Sequence, residues 1–346
     1  MNKKGFTLIE LLATVAILAI IMVIAIPKIL DSIDQSKRKS FFSSAKSIIR
    51  EIDYNKLESL ALTKTPLEDL NINGISTSDY DLTNSNAYIL NNVIYLNLVG
   101  KGKFEGLYLC DLSESGNLEV KDSVCKNYEL AGLDVWYDGK NNSGEGFHDS
   151  NNTIWKNIVS DSYDGILNGG TWGENNLTFD GINDWVSVGE LNYSNPTLEI
   201  VGEVNLNQAT RGYLIGNLEA GGYGIYARTD SIYGAYVYIT EISNYAEVNN
   251  TETYGLNTVY TISISYDNSH LKLYINGALV SSLSTPGNIK NPISNTILVL
   301  GANPSGSIAT ANYLNGKIYS ARIYNRVLTD NEIYLNYEAD RERFNF

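Results

Sequence analysis

Residues 6–27, FTLIELLATVAILAIIMVIAIP, decide how this chain is organised. They follow Lys3, Lys4 and Gly5, and they form an apolar run whose only charged residue is Glu10. A helix of this length is about 31 Å long, which is close to the thickness of the hydrocarbon core of a bilayer. Because both lysines precede the run, the sequence predicts a single membrane-spanning helix with its N-terminus in the cytoplasm.

Two simpler interpretations of this segment explain it less well. A cleaved secretory signal has a shorter apolar core and a small-residue cleavage site after it, whereas Ala25-Ile26-Pro27 is a poor end for such a signal. A plain membrane anchor leaves Glu10 unexplained, since a carboxylate at the helix centre costs about 2.5–3.5 kcal/mol on insertion scales and less near the interface. Glu10 therefore either reaches the lipid headgroups or has a partner.

The segment from Lys4 to Glu10, followed by an apolar helix and Pro27, closely resembles the N-terminus of type IV prepilins and pseudopilins. This resemblance implies that a prepilin peptidase cleaves after Gly5 and methylates the new terminal amine of Phe6. It also implies that Glu10 neutralises the terminal amine of a neighbouring pilin subunit during assembly, because an unpaired ion in lipid is expensive.

The same resemblance divides this part of the chain into a leader, residues 1–5, and a transmembrane and assembly helix, residues 6–27. It places the subunit in the cytoplasmic membrane before assembly and in a pilus at the cell surface afterwards. The expected partners are the prepilin peptidase, the membrane and other pilin subunits.

Composition separates this anchor from the rest of the 346-residue chain, which is long enough for about two folded units. The net charge of the chain is −14. Residues 1–53 contain eight basic and five acidic residues, which gives them a net charge of +3, so the remainder has a net charge of −17. All 25 tyrosines follow residue 53. A strongly acidic exterior disfavours nucleic acid as a partner.

Residues 28–62 are predicted to continue the helix, with a kink at Pro27 and a stop at Thr65-Pro66. An apolar stripe at helical spacing predicts packing on the chain's own next domain; its members are Phe41, Ala45, Ile48 and Ile52. The resemblance to pilins also implies that the lower half of the stripe packs in a fibre core. Residues 67–128 are predicted to form a small β-rich unit, with candidate strands at 93–98, 107–110 and 118–120. The helix continuation and this unit make up residues 28–130.

The two cysteines, Cys110 and Cys125, flank a predicted turn at residues 115–117. Outside the cytoplasm, such a pair favours a disulfide over a metal or redox site, and free buried thiols are the alternative. Pilins often carry a comparable bridge in this region, which is a further implication of the resemblance. Closure of a loop of about 15 residues is worth about 3 kcal/mol in the chain-entropy model.

From residue 131 onward, short alternating segments separated by Gly, Asn and Pro turns predict a β-sandwich. Residues 232–239, 258–266 and 270–276 each have one apolar and one more polar face. Asn276-Gly277 predicts a type I′ hairpin turn. Thr329 and Glu332 form a capping box that opens a short helix through about Glu338.

Five segments of this region resemble laminin-G-like domains of the concanavalin A-like fold: residues 133–139, 155–156, 177–186, 273–277 and 314–326. The resemblance implies a jelly roll over residues 131–346 in which the first strand pairs near the last. The predicted fold class is therefore α+β, with a long N-terminal pilin helix and a small β unit followed by a β-sandwich jelly roll.

The sequence predicts that the protein is not an enzyme. It has two histidines and no HExxH motif, no GxSxG elbow and no Gly-rich phosphate loop. The fold also hosts glycanases, which use two carboxylates, but the nearest acidic pair, Glu199 and Glu203, is interpreted as solvated strand positions.

Binding is the favoured activity, and no cofactor is required for it. Asp180, Asn183 and Asp184 lie in an oxygen-rich turn that could bind Ca²⁺, and an Asx turn without metal is the favoured alternative. Strand parity places Tyr236 and Tyr238 away from the apolar face, and it does the same for Tyr226 and Arg228. These four residues are predicted to form a glycan-binding surface, and the alternative is that the tyrosines pack under loops.

Two functions are consistent with these features. In the first, the chain is a minor or tip subunit of a type IV pilus whose laminin-G-like lobe binds an extracellular glycan or protein during adhesion. A large lobe on every subunit would crowd a thin fibre, which favours this placement. In the second, it is a structural pilin, or a secretion or DNA-uptake pseudopilin, whose lobe does not bind. A surface glycan hydrolase is the less favoured third function.

Overall fold

A computed structural model describes residues 8–53, 57–58, 63–70, 72, 74–90, 92–114, 116, 120–123, 125–205, 211–228 and 232–346, and leaves aside the side chains of residues 18–24. These residues form a long N-terminal helix with a small sheet, here called the N-terminal unit, and a two-sheet sandwich from residue 131 onward, here called the lobe. In the described part of the chain, no helix meets the length and hydropathy needed to cross a membrane.

Helix α1 spans Leu8–Glu51 and contains Pro27 in its interior. Its first half presents exposed apolar side chains such as Leu12 and Ile29, and its second half buries the stripe from Phe41 to Ile52 against the small sheet. The prediction that the stripe packs on the next domain is confirmed. The predicted helix is too long, because α1 ends at Glu51, and the kink at Pro27 stays a prediction.

The small sheet has the strand order β1-β2-β3-β4, and all neighbours are antiparallel. Its strands are β1 Thr65–Pro66, β2 Asn86–Leu90, β3 Val93–Val99 and β4 Tyr108–Ser113, accompanied by 3₁₀ helices at Leu67–Leu70 and Gly102–Phe104. Thr65-Pro66 is thus an edge strand. The predicted strand at 118–120 lies mostly outside the described residues. Cys110 and Cys125 form the predicted disulfide, with 5.3 Å between their Cα atoms.

The lobe contains eighteen strands among the described residues. They are β5 Leu133–Asp138, β6 Ile154–Trp155, β7 Gly165–Asn168, β8 Thr171–Trp172, β9 Leu177–Asp180, β10 Trp185–Gly189, β11 Thr197–Val204, β12 Gly212–Gly216, β13 Tyr223–Ala227, β14 Tyr233–Ile239, β15 Asn244–Asn249, β16 Tyr260–Tyr266, β17 His270–Ile275, β18 Ala278–Ser284, β19 Leu298–Leu300, β20 Asn303–Ser305, β21 Ile308–Ala311 and β22 Asn315–Tyr324. A 3₁₀ turn covers Gly139–Asn141, and helix α2 spans Asp330–Phe344.

Two large antiparallel sheets pack face to face in the lobe. The front sheet has the order β15-β14-β13-β12-β19-β10-β7-β6, and the back sheet has the order β18-β17-β16-β11-β22-β9-β8 with β5 also paired to β22. One core fills the space between them and includes Ala235, Val237, Ile262 and Leu273. The predicted sandwich and the inward parity of β14, β16 and β17 are confirmed, since apolar side chains alternate inward along each strand.

Local turn and cap chemistry follows the sequence closely. Asn276 and Gly277 both have positive φ, at 51° and 73°, as a type I′ turn between β17 and β18 requires. The capping box between Thr329 and Glu332 is present. The helix that it opens continues to Phe344, six residues beyond the predicted end.

Helix α2 lies on the outer face of the back sheet, next to β16 and β18. Thr261, Ser263 and Ser265, on the polar face of β16, are therefore buried under or beside it and are not solvated. The prediction that Glu199 and Glu203 are solvated is also wrong. Both are buried: Glu199 pairs with Arg322 at 2.9 Å, and Glu203 pairs with Lys317 at 2.6 Å.

The C-terminus returns to the N-terminal unit because the first strand of the lobe, β5, pairs with the last, β22. Tyr88 and Tyr95 of the small sheet share one apolar cluster with Trp136 and Tyr128 of the lobe and its connector. The side chain of Asn336 in α2 accepts a 2.7 Å hydrogen bond from the backbone N–H of Glu129. These contacts join the two units through apolar packing and polar contacts at one seam.

Candidate functional site

The outer face of the front sheet carries a cluster of aromatic and charged side chains on β12–β15, here called the tyrosine surface. Helix α2 occupies the back sheet, so this cluster lies on the opposite side of the sandwich. Its members are Arg211, Tyr213, Tyr226, Tyr236, Tyr238, Tyr245, Glu247 and Lys290.

The rings of the tyrosine surface touch one another in a continuous row. Tyr226 and Tyr236 are stacked with their centroids 5.0 Å apart. Tyr245 meets the edges of both Tyr236, at 5.8 Å, and Tyr238, at 4.8 Å. Because these residues alternate with Ala235 and Val237 along paired strands, the pleat that buries the apolar residues also sets the tyrosines side by side.

Charged groups lie over and beside this row. The guanidinium carbon of Arg211 lies 4.8 Å from the ring centroid of Tyr226 and 5.2 Å from that of Tyr236, and Lys290 Nζ lies 4.9 Å from that of Tyr238. Such positions allow cation–π attraction. Arg211 also forms a 3.3 Å ion pair with Glu247.

Hydrogen bonds fix the ionisation of this cluster. Burial opposes ionisation of Glu247, but donation by the Tyr226 and Tyr236 hydroxyls together with the charge of Arg211 holds the pKa of its carboxyl below the ordinary value. Burial is the main cause that raises the pKa of the Tyr226 hydroxyl, and its hydrogen bond to Glu247 raises that pKa further. At neutral pH the hydroxyls of Tyr226 and Tyr236 therefore stay protonated and donate to a paired carboxylate.

The structure changes the role expected for one predicted ligand-binding residue. Tyr226 is fully buried beneath its neighbours, so it supports the surface and does not present an exposed ring. Its hydroxyl donates to Glu247 or Asn249. Tyr236 and Tyr238 remain half-buried, which leaves part of each ring accessible, and Arg228 follows the end of β13.

Several members of the surface were not predicted from the sequence. Tyr245 and Glu247 lie on β15, whose alternation Tyr-Ala-Glu-Val-Asn is a strand pattern that would have identified their common face. Arg211 and Tyr213 lie at the start of β12, whereas Lys290 comes from a distant part of the chain, and only the tertiary fold brings them to the tyrosines of β14.

The turn proposed for calcium uses its own oxygens to hold its backbone. Asp180 Oδ1 accepts from the backbone N–H of Ile182 at 2.8 Å, and Asp184 Oδ2 accepts from the N–H of Asp180 at 3.0 Å. These are Asx-type bonds. Within the described ranges, no group of three or more His, Cys, Asp or Glu side chains could hold a metal ion. In this turn, Asp180 and Asp184 thus spend carboxylate oxygens on backbone N–H groups, and calcium binding stays a prediction.

The residues predicted to act in processing and assembly lie at the N-terminus. Gly5 and Phe6 fall outside the described residues. Glu10 lies exposed in the first turn of α1, and Pro27 is exposed in its interior.

Two family models match the chain. Residues 1–26 match the model described as the prokaryotic N-terminal methylation motif, and residues 168–334 match that of the Concanavalin A-like lectin/glucanases superfamily. The predicted fusion of these two elements is confirmed. A search of curated proteins gives no match.

Solved structures with a similar fold include the CBM40 of the Ruminococcus gnavus IT-sialidase bound to alpha2,3 sialyllactose, at 17% identity and a TM-score of 0.36, covering 41% of this chain and 81% of that one. They also include the botulinum neurotoxin serotype D ligand binding domain in complex with N-acetylneuraminic acid, at 13% identity and a TM-score of 0.43, covering 60% of this chain and 50% of that one. The chain spans about half the length of that neurotoxin domain.

Proposed function

We propose that this chain, which joins a prokaryotic N-terminal methylation motif to a domain of the Concanavalin A-like lectin/glucanases superfamily, is a pilin-like surface protein whose lobe binds carbohydrate. The observation that carries the proposal is the tyrosine surface, which lies on the sheet face that α2 leaves uncovered. The proposed ligand is an extracellular glycan that lies across Tyr236 and Tyr238.

The chemistry of the surface suits a sugar ring. The half-buried faces of Tyr236 and Tyr238 offer apolar area with fixed orientation, since each ring is held by contact with Tyr245. Arg211, Glu247 and Lys290 offer donors and acceptors at its rim for sugar hydroxyls. An apolar platform with a few placed polar groups is the usual make-up of a ligand site.

A glycan array probed with the full chain in detergent tests this proposal. We expect wild type to bind a subset of glycans, and the double variant Tyr236→Ala, Tyr238→Ala to lose about threefold to tenfold in affinity for each ring, since one aromatic contact is worth about 0.5–1.5 kcal/mol. Tyr334→Ala, which removes an exposed tyrosine of α2, is the matched control. Repeating the array with a chelator tests the predicted dependence on calcium.

The alternative is a structural subunit whose lobe does not bind. It is favoured by the internal bonds of the surface, because the hydroxyl of Tyr226 and the carboxylate of Glu247 already satisfy each other. If wild type binds no glycan, carbohydrate binding is rejected and the structural role is preferred. If the double variant binds as wild type does, the tyrosine surface is rejected as the glycan site.

Assembly into a filament rests on the methylation motif. We propose that the subunit spans the cytoplasmic membrane once, is cleaved after Gly5, and then enters a fibre in which Glu10 pairs with the amine of a neighbour. Glu10→Ala should reach the membrane and fail to enter fibres, whereas Glu51→Ala, at the exposed end of α1, should assemble. Normal assembly of Glu10→Ala would contradict this role.

We further propose that the subunit is a minor or tip component and that its lobe does not cleave glycans. The size of the lobe supports the first point, because it would crowd a thin fibre at every position. The burial of Glu199 against Arg322 supports the second, because that carboxylate cannot reach a substrate in this arrangement. Immunogold labelling along whole fibres would reject tip placement, and release of reducing ends from a glycan panel would reject the non-catalytic assignment.

A further inference from the structure

The tyrosine surface has two ends that differ in charge. The ring of Tyr245 stands between them, because it meets the rings of Tyr236 and Tyr238 edge-on, with interplanar angles of 65° and 84°. At the Tyr236 end, an arginine and a glutamate form an ion pair. At the Tyr238 end, the ammonium of Lys290 lies over the ring. The two ends therefore favour different groups of a ligand.

The backbone of Lys290 is held in place on both sides. Its N–H donates to the carbonyl of Tyr238 at 3.0 Å, and its carbonyl accepts from the N–H of Gly222 at 2.8 Å. The side chain is exposed, and its ammonium lies 4.9 Å from the centroid of the half-buried Tyr238 ring. A ligand that rests on this ring therefore meets an accessible cation whose backbone is fixed by two hydrogen bonds.

Lys290 differs from most cations of the lobe because it lacks a carboxylate partner. Residues 131–346 contain 11 basic and 23 acidic residues, so the net charge of the lobe is −12. Most of its lysines and arginines pair with a carboxylate, namely Lys156, Arg211, Lys272, Lys317, Arg322, Arg326, Arg341 and Arg343. In the described part of the chain, no ion pair includes Lys290. A bound ligand can therefore supply its counter-ion.

The carboxylates of neighbouring segments are bonded elsewhere or act on other rings. Glu241 accepts from the backbone N–H and the side-chain amide of Asn288, at 2.7 and 2.8 Å. The charges of Glu219 and Glu247 act on the hydroxyls of other tyrosines in the row. These two carboxylates repel an anion from the rest of the surface. An acidic group on a ligand is therefore directed to Lys290.

We propose that the tyrosine surface selects acidic glycans: the sugar that lies on Tyr238 carries a carboxylate or a sulfate group, and Lys290 Nζ donates a hydrogen bond to that group. This inference rests on the proposed binding of glycans at the tyrosine surface. An ammonium is a compact charge that bonds either anion, and charge-assisted hydrogen bonds are stronger than neutral ones. Lys290 is therefore the residue that determines specificity, whereas the rings supply a platform that neutral sugars also use.

A glycan array with matched forms of each core tests this inference, for example lactose without an acidic group, with a sulfate and with a terminal glucuronic acid. We expect the full chain in detergent to bind an acidic form about twofold to fivefold more tightly than its neutral parent, as expected for one exposed ion pair. Lys290→Met should lose this preference and keep most of its affinity for the neutral parents, and Lys290→Arg should retain the preference. Lys272→Met removes the same charge from β17 of the back sheet and is the matched control.

The outcomes separate this inference from glycan binding itself. Preference for the carboxylated form, the sulfated form or both, lost in Lys290→Met, supports the acidic subsite and identifies the group that it accepts. The preference should also shrink as the salt concentration rises, because an exposed ionic contact is screened. Equal binding of acidic and neutral forms, or a preference that survives in Lys290→Met, overturns the inference and leaves glycan binding standing. Absence of binding to every glycan rejects the proposed function, and this inference with it.

Discussion

Arg322 is the residue whose replacement should affect the stability of the lobe most. Its guanidinium is buried under α2, where Nε bonds Glu199 at 2.9 Å while Nη1 and Nη2 bond Asp340 at 2.7 and 2.5 Å. Arg322→Met removes these bonds and leaves two buried carboxylates without their counter-ion. Breaking a buried ion pair in this way costs about 3–5 kcal/mol.

The assays are thermal and denaturant unfolding followed by tryptophan fluorescence, because the ring centroid of Trp136 lies 6.0 Å from the Arg322 guanidinium carbon. For a lobe of this size we expect a loss of about 6–20 °C in melting temperature, taking about 2–4 °C per kcal/mol. Arg341→Met is the matched control. This arginine lies on α2 next to Asp340, but it is exposed, and its pair with Glu338 should contribute about 0–1 kcal/mol.

The pH dependence provides a second criterion. Burial raises the pKa of Glu199 even with Arg322 present, although the charge of Arg322 opposes the shift. Without Arg322 the pKa of the Glu199 carboxyl should rise further above its unfolded value. The native state then binds more protons than the unfolded state, so the destabilisation should be largest at neutral pH and should shrink as the pH falls. A loss below about 1 kcal/mol, or one equal at pH 7 and pH 5, would refute this account.

Three further predictions concern the small sheet, the seam and the tyrosine surface. Replacing both Cys110 and Cys125 with Ser should lower the free energy of unfolding of the N-terminal unit by about 3 kcal/mol, measured by denaturant titration, because the 15-residue loop is no longer closed. Burial lowers the pKa of Lys64 in the folded protein to about 8, whereas its pKa in the unfolded chain is higher. At a pH between these two values the unfolded state binds more protons than the folded state, so the stability of the fold rises with pH. The stability of wild type relative to Lys64→Met should therefore improve between pH 7 and pH 9.5, and an unchanged difference would contradict this burial. In Gly234→Ala the new methyl group would overlap the Tyr226 hydroxyl. Such overpacking costs about 1–3 kcal/mol, so the Tyr226 ring should shift and glycan binding on the array should weaken. Unaltered affinity would show that Tyr226 does not support the site.

Much of the site could be predicted because it depends on strand parity. Alternation along residues 232–239 placed Tyr236 and Tyr238 opposite Ala235 and Val237, and the structure has them there. Parity alone could not show that Tyr226 is buried, because its cover comes from Arg211 and Tyr236 on other segments. The same limit explains the error for Glu199, whose pattern is that of an exposed strand residue.

The sequence by itself determined the features that local physics controls. Apolar spacing set helix α1, although not its end at Glu51. Alternation set the strands, Asn276-Gly277 set a hairpin turn through its positive φ values, and Thr329 began α2. Only the tertiary structure decided which sheet face α2 covers, which tyrosines remain accessible, and that Glu199, Arg322 and Asp340 meet in one buried cluster. The physical reason is that periodicity fixes the direction of a side chain relative to its own strand or helix, whereas burial and charge pairing depend on groups on other elements, such as Arg322, which is 123 residues from Glu199.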